Sequence, residues 1–200
     1  MANEAKRTDS PRERLLKAAV ELMHDSGYAA VTSRKLAARA GLKPQLVHYY
    51  FKTMDDLFLE VYRNWALDLL ERQEAILSSS TPFRDMWRLA TSFRGVLLTE
   101  FIALANHRKS IRKEMADFGD RYRRSQIHIV SQVLERKGIH EFPWTPTFIS
   151  AVLNSLAGGL VLESEAGVKE GHDEVLAVVE HFIERFDQQE PDALPATDAR

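Results

Sequence analysis

The segment SRKLAARAGLKPQLVHYYF, Ser33 to Phe51, holds two short helical patterns split by a single glycine. Ala37 and Ala40 put small side chains where two helices would cross, and Gly41 tolerates the positive φ of a tight turn. Leu42, Val47 and Phe51 recur on the inner side of the second pattern. Pro44 fixes φ at its first turn, where a missing N–H costs nothing. Lys43, Gln45, His48 and Tyr49 fall on the opposite side, a set able to reach base edges and phosphates. These are the requirements of a helix-turn-helix. A plain helical hairpin with a solvated polar face meets them as well, so the segment alone admits both readings.

Upstream, Ser10, Pro11 and Glu13 form a helix-start signal, and Leu15, Leu16, Ala19, Leu22 and Met23 follow at helical spacing until Gly27. Downstream, a helix from about Asp55 to Leu77 carries Leu57, Val61, Trp65 and Leu69 on one stripe. Three short helices bury little apolar area, so this fourth one is needed to complete their core. The breaker Ser78-Ser79-Ser80-Thr81-Pro82 follows. Beyond it the pattern predicts helices at roughly 82–105, 107–117, 119–137, 145–166 and 172–187. The reading is all-α: a mobile arm at 1–10, a three-helix helix-turn-helix domain at 11–54, a helical domain at 55–187 and a disordered polar tail at 188–200.

The run Gly27 to Leu57, GYAAVTSRKLAARAGLKPQLVHYYFKTMDDL, resembles the signature of the TetR family of bacterial transcriptional regulators. The matching pieces are Gly27-Tyr28, Thr32, Leu36-Ala37, Ala40-Gly41-Leu42, the aromatic cluster Tyr49-Tyr50-Phe51, and Asp55 and Leu57. Three positions depart from the pattern. Lys43 stands where family members usually cap the recognition helix with Ser or Thr, His48 where they often carry Tyr, and Met54 where a phosphate-facing Lys is common. The last change bears on the strength of DNA binding more than on the fold.

On this resemblance the partner is a pseudo-palindromic double-stranded DNA operator, bound by a homodimer and released by a small-molecule effector, with no cofactor. Gln45 has the chemistry to pair bidentately with adenine, and Leu46 to touch a thymine methyl. Thr32, Ser33, Arg34, Lys43, His48, Tyr49 and Lys52 suit phosphates, and Lys6 and Arg7 suit a minor groove. Charge agrees. Residues 1–54 hold ten Lys/Arg against five Asp/Glu, or +5, within a chain of net charge −2, which leaves −7 for the rest.

The predicted 82–105 helix is apolar over more than half its circumference, with Arg94 and Glu100 inside that arc. Charges there must be paired or face a ligand. A structural salt bridge meets that need. The family resemblance adds an effector pocket, for which Trp65, Trp87, Phe93, Arg94, Leu97, Glu100, Phe101 and Tyr122 are the candidates. Stripes at Val152, Leu156, Leu160 and Glu163, and at Val175, Val179, Phe182 and Phe186, suit the family's four-helix dimer bundle, with Gly158-Gly159 allowing close approach and Asn154 bonding across.

The exclusions are firm in the same direction. With no Cys there is neither disulfide nor thiolate chemistry, and a cytoplasmic location is the simplest reading. The seven His include no i,i+4 pair, so no helical metal site is implied, and no GxSxG or glycine-rich phosphate loop is present. The chain is read as no enzyme, with no apolar run long enough to span a membrane and no signal-peptide core. The alternative is a helical small-molecule-binding protein or enzyme with a vestigial helix-turn-helix.

Overall fold

The computed structural model describes residues 9–92, 95–139 and 145–188. Among these it contains nine helices and two 3-10 turns, with no strand. The helices are α1 Pro11–Ser26, α2 Ser33–Ala40, α3 Pro44–Tyr50, α4 Met54–Ala75, α5 Pro82–Thr91, α6 Gly95–His107, α7 Lys109–Arg136, α8 Pro146–Glu165 and α9 His172–Gln188. The expected arm and tail lie outside the described residues, apart from a few that flank α1 and end α9.

Contacts divide the chain into two compact units that do not follow chain order. The first holds the residues up to Leu67 together with Val96–Asp117, the second Asp68–Gly95 with the residues from Phe118 onward. In the first unit α1 packs on α2 and α2 on α3. Leu15, Met23, Leu36, Ala37, Val47 and Leu57 are all at most 1% exposed there, so the three short helices close over one apolar interior. The capping signals are realised. Ser10 and Glu13 form a reciprocal box at the start of α1, and Thr53 and Asp56 do the same for α4.

In the second unit α5 packs against α8 and α9. Their shared core holds Phe83, Met86, Trp87, Ile129, Val130, Val133, Ile149 and Ile183. The start of α5 is capped from afar. Thr81 gives it no side-chain bond, and the Asp187 carboxylate accepts from Phe83 N and Arg84 N, both at 3.1 Å.

Two helix boundaries differ from the sequence expectation. The predicted 82–105 helix is interrupted: α5 ends at Thr91 and α6 begins at Gly95. Thr91 and Ser92 turn their hydroxyls back onto the carbonyls of Trp87 and Leu89, at 2.9 and 3.1 Å, which weakens the next turn of a helix. Conversely, the predicted break at Gly119 is absent, and α7 runs through it from Lys109 to Arg136. One helical glycine costs about 1 kcal/mol relative to Ala, which a helix of 28 residues absorbs.

The dimer stripes are also reassigned. On α9 the inward side is Val175, Val179, Ile183 and Phe186, all packed against the second unit's own core. Val178 and Phe182 are the exposed pair. An arc through positions 175, 179, 183 and 186 takes Ile183 inward and leaves its neighbour Phe182 out. Asn154 does not point outward as expected. Its amide donates to the Gln126 side chain and, at 2.9 Å, to the Ser150 carbonyl. Finally, α8 is long and apolar enough to cross a membrane by length and composition, contrary to the sequence reading. Its average is carried by Leu, Val, Ile, Phe and Ala, which Ser150, Asn154 and Ser155 interrupt, so no unbroken aliphatic run forms.

Candidate nucleic-acid interface

The turn between α2 and α3 is built from short-range chemistry. Thr32 caps α2 by accepting from Lys35 N at 3.3 Å. Gly41 ends it in the left-handed region, φ 64 and ψ 39, with Leu42 N donating to Ala37 O at 2.8 Å. The guanidinium of Arg14, on α1, donates to the carbonyls of Ala40 and Gly41. It thereby satisfies acceptors left over at the C-terminus of α2, where the helix dipole also favours a cation.

Val47, 1% exposed, and Phe51, 3% exposed, hold α3 from inside. Lys43, Gln45, His48 and Tyr49 are exposed on the other side, and Leu46 is half-buried. Tyr49 is 78% exposed, more than any other large apolar side chain among the described residues, and its ring meets Tyr50 edge-on at 5.0 Å. A ring so placed has little to cover it within the chain. Lys43 sits at the cap position of α3 without a side-chain cap bond, as the departure from Ser or Thr implied.

The basic residues of this region fall into two groups. Arg12 is held by Glu60 and lies 5.7 Å over the Phe51 ring. Arg14 is spent on the turn. Lys17 pairs with Asp9 at 2.7 Å, and Arg39 with Glu21 and Asp25 at 3.3 and 3.0 Å. The Arg39 hydrogen bond holds the Asp25 carboxyl below its usual range, and the reciprocal bond raises Arg39. Arg34, Lys35, Lys43 and Lys52 are exposed and form no ion pair with the described residues. The cations of this region left without an ion pair are thus two in the first turn of α2, the residue that precedes α3 and one just beyond its end. Lys35 was missed from the sequence-derived set, although its place beside Arg34 at the start of α2 was a readable signal.

Thr32 is exposed and Ser33 half-buried, with the Ser33 hydroxyl 3.8 Å from the Met54 sulfur, to which it donates. Lys6 and Arg7 lie outside the described residues.

The expected ligand residues that are described divide between the two units. In the first unit, Trp65 and Phe101 flank Tyr62 at 5.5 and 5.1 Å between ring centres, and Leu97 is buried. Glu100 accepts a hydrogen bond from Tyr28 N at 2.6 Å. In the second, Trp87 belongs to the apolar core, while the Tyr122 carbonyl accepts from Gln73 Nε2 at 3.1 Å. Burial pushes the Tyr122 hydroxyl up to about 12, so it stays protonated. Phe93 and Arg94 lie outside the described residues.

Sequence reasoning overlooked an uncharged polar set in the second unit. Gln73 and Gln126 are each 1% exposed and Ser150 is fully buried. Ser150 donates to Gln126 Oε1 at 2.6 Å, whereas Gln73 Oε1 has no hydrogen-bond partner. A groove of about 330 Å³ in the same unit runs past Arg72, Asp85 and Arg88 over Ala75, Ile76 and Leu89. Arg72 already pairs with Asp68 at 2.9 Å.

Residues 15–61 match the family model for bacterial regulatory proteins of the tetR family. No curated protein matches the chain. Among solved structures, a candidate transcriptional regulator from Saccharomonospora viridis, in complex with choline, superposes with a TM-score of 0.73 at 22% identity, covering 86% of this chain and 95% of that one. A TetR transcription regulator from Haloarcula marismortui gives 0.70 at 14% identity, over 88% and 96%. The regulator FadR from Bacillus subtilis, in complex with stearoyl-CoA, gives 0.61 at 17%, over 88% and 97%. At these identities the structures establish the fold, while the matched N-terminal segment is the one that carries the exposed α2–α3 face. The N-terminal segment of the chain, residues 15–61, is thus of the tetR type, and the chain shares its fold with solved transcriptional regulators.

Proposed function

We propose that the protein is a homodimeric repressor that holds a pseudo-palindromic operator in the cytoplasm and is released from it by a small molecule. The observation that supports the DNA reading is the division of the described basic residues up to position 54: Arg12, Lys17 and Arg39 pair with carboxylates and Arg14 bonds backbone carbonyls, whereas Arg34, Lys35, Lys43 and Lys52 form no ion pair with the described residues. Gln45 and Leu46 read bases, while Thr32, Ser33, His48, Tyr49 and the free cations hold phosphates. Two copies joined through α8 and α9 would offer two recognition helices to a site whose halves are about one DNA turn apart. Phe148, Val152 and Leu162 on α8, with Val178 and Phe182 on α9, supply an exposed apolar surface for that purpose. Among the described residues, and beyond the helix's own backbone, nothing lies within 4 Å of where a Cβ on Gly158 or Gly159 would be, which leaves room for a partner helix.

The effector reading draws on the neighbours that bind choline and stearoyl-CoA, and on the buried set of Gln73, Gln126 and Ser150. That set is uncharged. It suits a neutral ligand carrying hydrogen-bond donors, one of which would satisfy Gln73 Oε1.

The test is a titration on duplexes selected from random DNA, repeated over a range of salt. Phosphate-driven binding must weaken steeply, by about 0.9 in logarithmic slope per neutralised phosphate. A flat salt response, or no selected sequence, would leave a ligand-binding protein with a vestigial helix-turn-helix.

A further inference from the structure

Glu100 lies on α6, beside a stripe of Leu97, Phe101 and Leu104 that is buried in the first unit. No cation among the described residues pairs with its carboxylate. Its partner is a backbone group 72 positions away: Tyr28 N, which donates to Glu100 Oε2 at 2.6 Å. Tyr28 opens the 3-10 turn that follows α1, and the residue before that turn gives it no side-chain cap. Glu100 therefore serves as a remote cap, through a short, charge-assisted bond.

Gly27 makes room for it. At φ 77 the residue is in a region that side chains avoid, and a Cβ built there would lie 3.2 Å from Glu100 Oε2 and 3.5 Å from Oε1. The carboxylate thus rests on the Gly27–Tyr28 peptide. From that peptide the chain makes one 3-10 turn, buries Val31 and starts α2 at the Thr32 cap. No other side-chain bond of the described residues holds the Tyr28 amide.

We propose that Glu100 is a positioning residue for operator recognition: by gripping the Tyr28 amide it sets where α2 starts, and with it the presentation of α3. The inference rests on the DNA-binding reading given above. It reverses the sign expected from charge. A carboxylate in a DNA-binding unit repels phosphate, so deleting it as a mere charge would leave binding unchanged or tighten it. Deleting it as a positioning group must weaken operator binding while sparing non-specific binding, which needs only phosphate contacts.

Glu100→Gln, Glu100→Asp and Glu100→Ala in the full chain test this on two duplexes, one selected by the wild-type protein and one scrambled. Gln keeps an acceptor at the same reach without charge, and Asp keeps the charge but withdraws the acceptor by one methylene. The expected result is operator affinity near wild type for Gln and about tenfold or more weaker for Asp and Ala. Scrambled-duplex affinity and salt slope should hold for all three. Hydrogen exchange at the Tyr28 amide should be slow in wild type and Gln, and fast in Asp. Should Ala fail to fold, the Gln–Asp pair still decides. Asp at wild-type affinity, Gln as weak as Asp, or equal losses on both duplexes would overturn the proposal. Wild-type protein that selects no sequence would instead overturn the DNA-binding reading itself.

Discussion

The α2–α3 face of the first unit and the α8–α9 face of the second are both exposed among the described residues, and with opposite chemistry. On the first, the exposed groups are Arg34, Lys35, Lys43 and Lys52 around Gln45, His48 and Tyr49. On the second they are Phe148, Val152, Leu162, Val178 and Phe182. Cations on one surface and exposed apolar side chains on another call for different partners, a polyanion and an apolar surface. The lesson is that what a surface does not satisfy internally is a better guide than its composition. Arg12, Lys17 and Arg39 are as basic as Lys43, yet each is already neutralised.

The largest effect should come from breaking the apolar face. Phe182 is 42% exposed and Ile183 5% exposed, although they are adjacent on α9. Phe182→Glu should give folded monomers or insoluble protein, whereas Ile183→Glu should unfold the second unit. Light scattering that still finds a clean dimer with Phe182→Glu would place the interface elsewhere.

On the polar face, Gln45→Ala should cost about 1–3 kcal/mol of operator affinity and relax preference at one position per half-site. Equal weakening at every operator position would make Gln45 a phosphate contact instead. Arg14→Met tests the support beneath that face. Stripping the guanidinium from the Ala40 and Gly41 carbonyls should cost about 2 kcal/mol of stability, read in a thermal or urea melt. An unchanged melt would mean that water replaces the arginine without loss.

A smaller change is expected at the cap of α5. Asp187→Ala should lose about 1 kcal/mol by stranding Phe83 N and Arg84 N. Its pH dependence has a definite sign. Burial, acting against those two N–H groups, raises the Asp187 carboxyl above its ordinary value. The folded state therefore holds that proton more tightly than the unfolded one, and this group's contribution falls as pH rises through the raised value. Asp187→Asn, which does not titrate, should gain on wild type over that interval, and parallel stability curves would contradict the assignment. The smallest effect is Met54→Lys. Placing a cation beside Ser33 should tighten binding to all sequences and steepen the salt slope by up to about one unit per half-site. An unchanged slope would show that position 54 does not face the DNA backbone.

The first three helices were legible from sequence because their determinants are local. The Ser10–Glu13 box, the Thr32 cap and the Gly41 turn each act over three to five residues and can be read off neighbouring letters. The same letters could not divide the basic residues. Arg12 finds Glu60 across 48 positions, Arg14 finds Ala40 across 26, and Glu100 finds Tyr28 across 72. Those partners exist only once helices pack. Packing likewise chose Ile183 over Phe182 for the interior, and it carried α7 through Gly119, where a local rule expected an end. By itself, then, the sequence determined an all-α chain that opens with a helix-turn-helix of the tetR type, through caps, turns and apolar spacing. Which charges stay free to meet DNA was decided only by tertiary structure, because neutralising a charge takes a partner within a few ångströms in space, however far along the chain it lies.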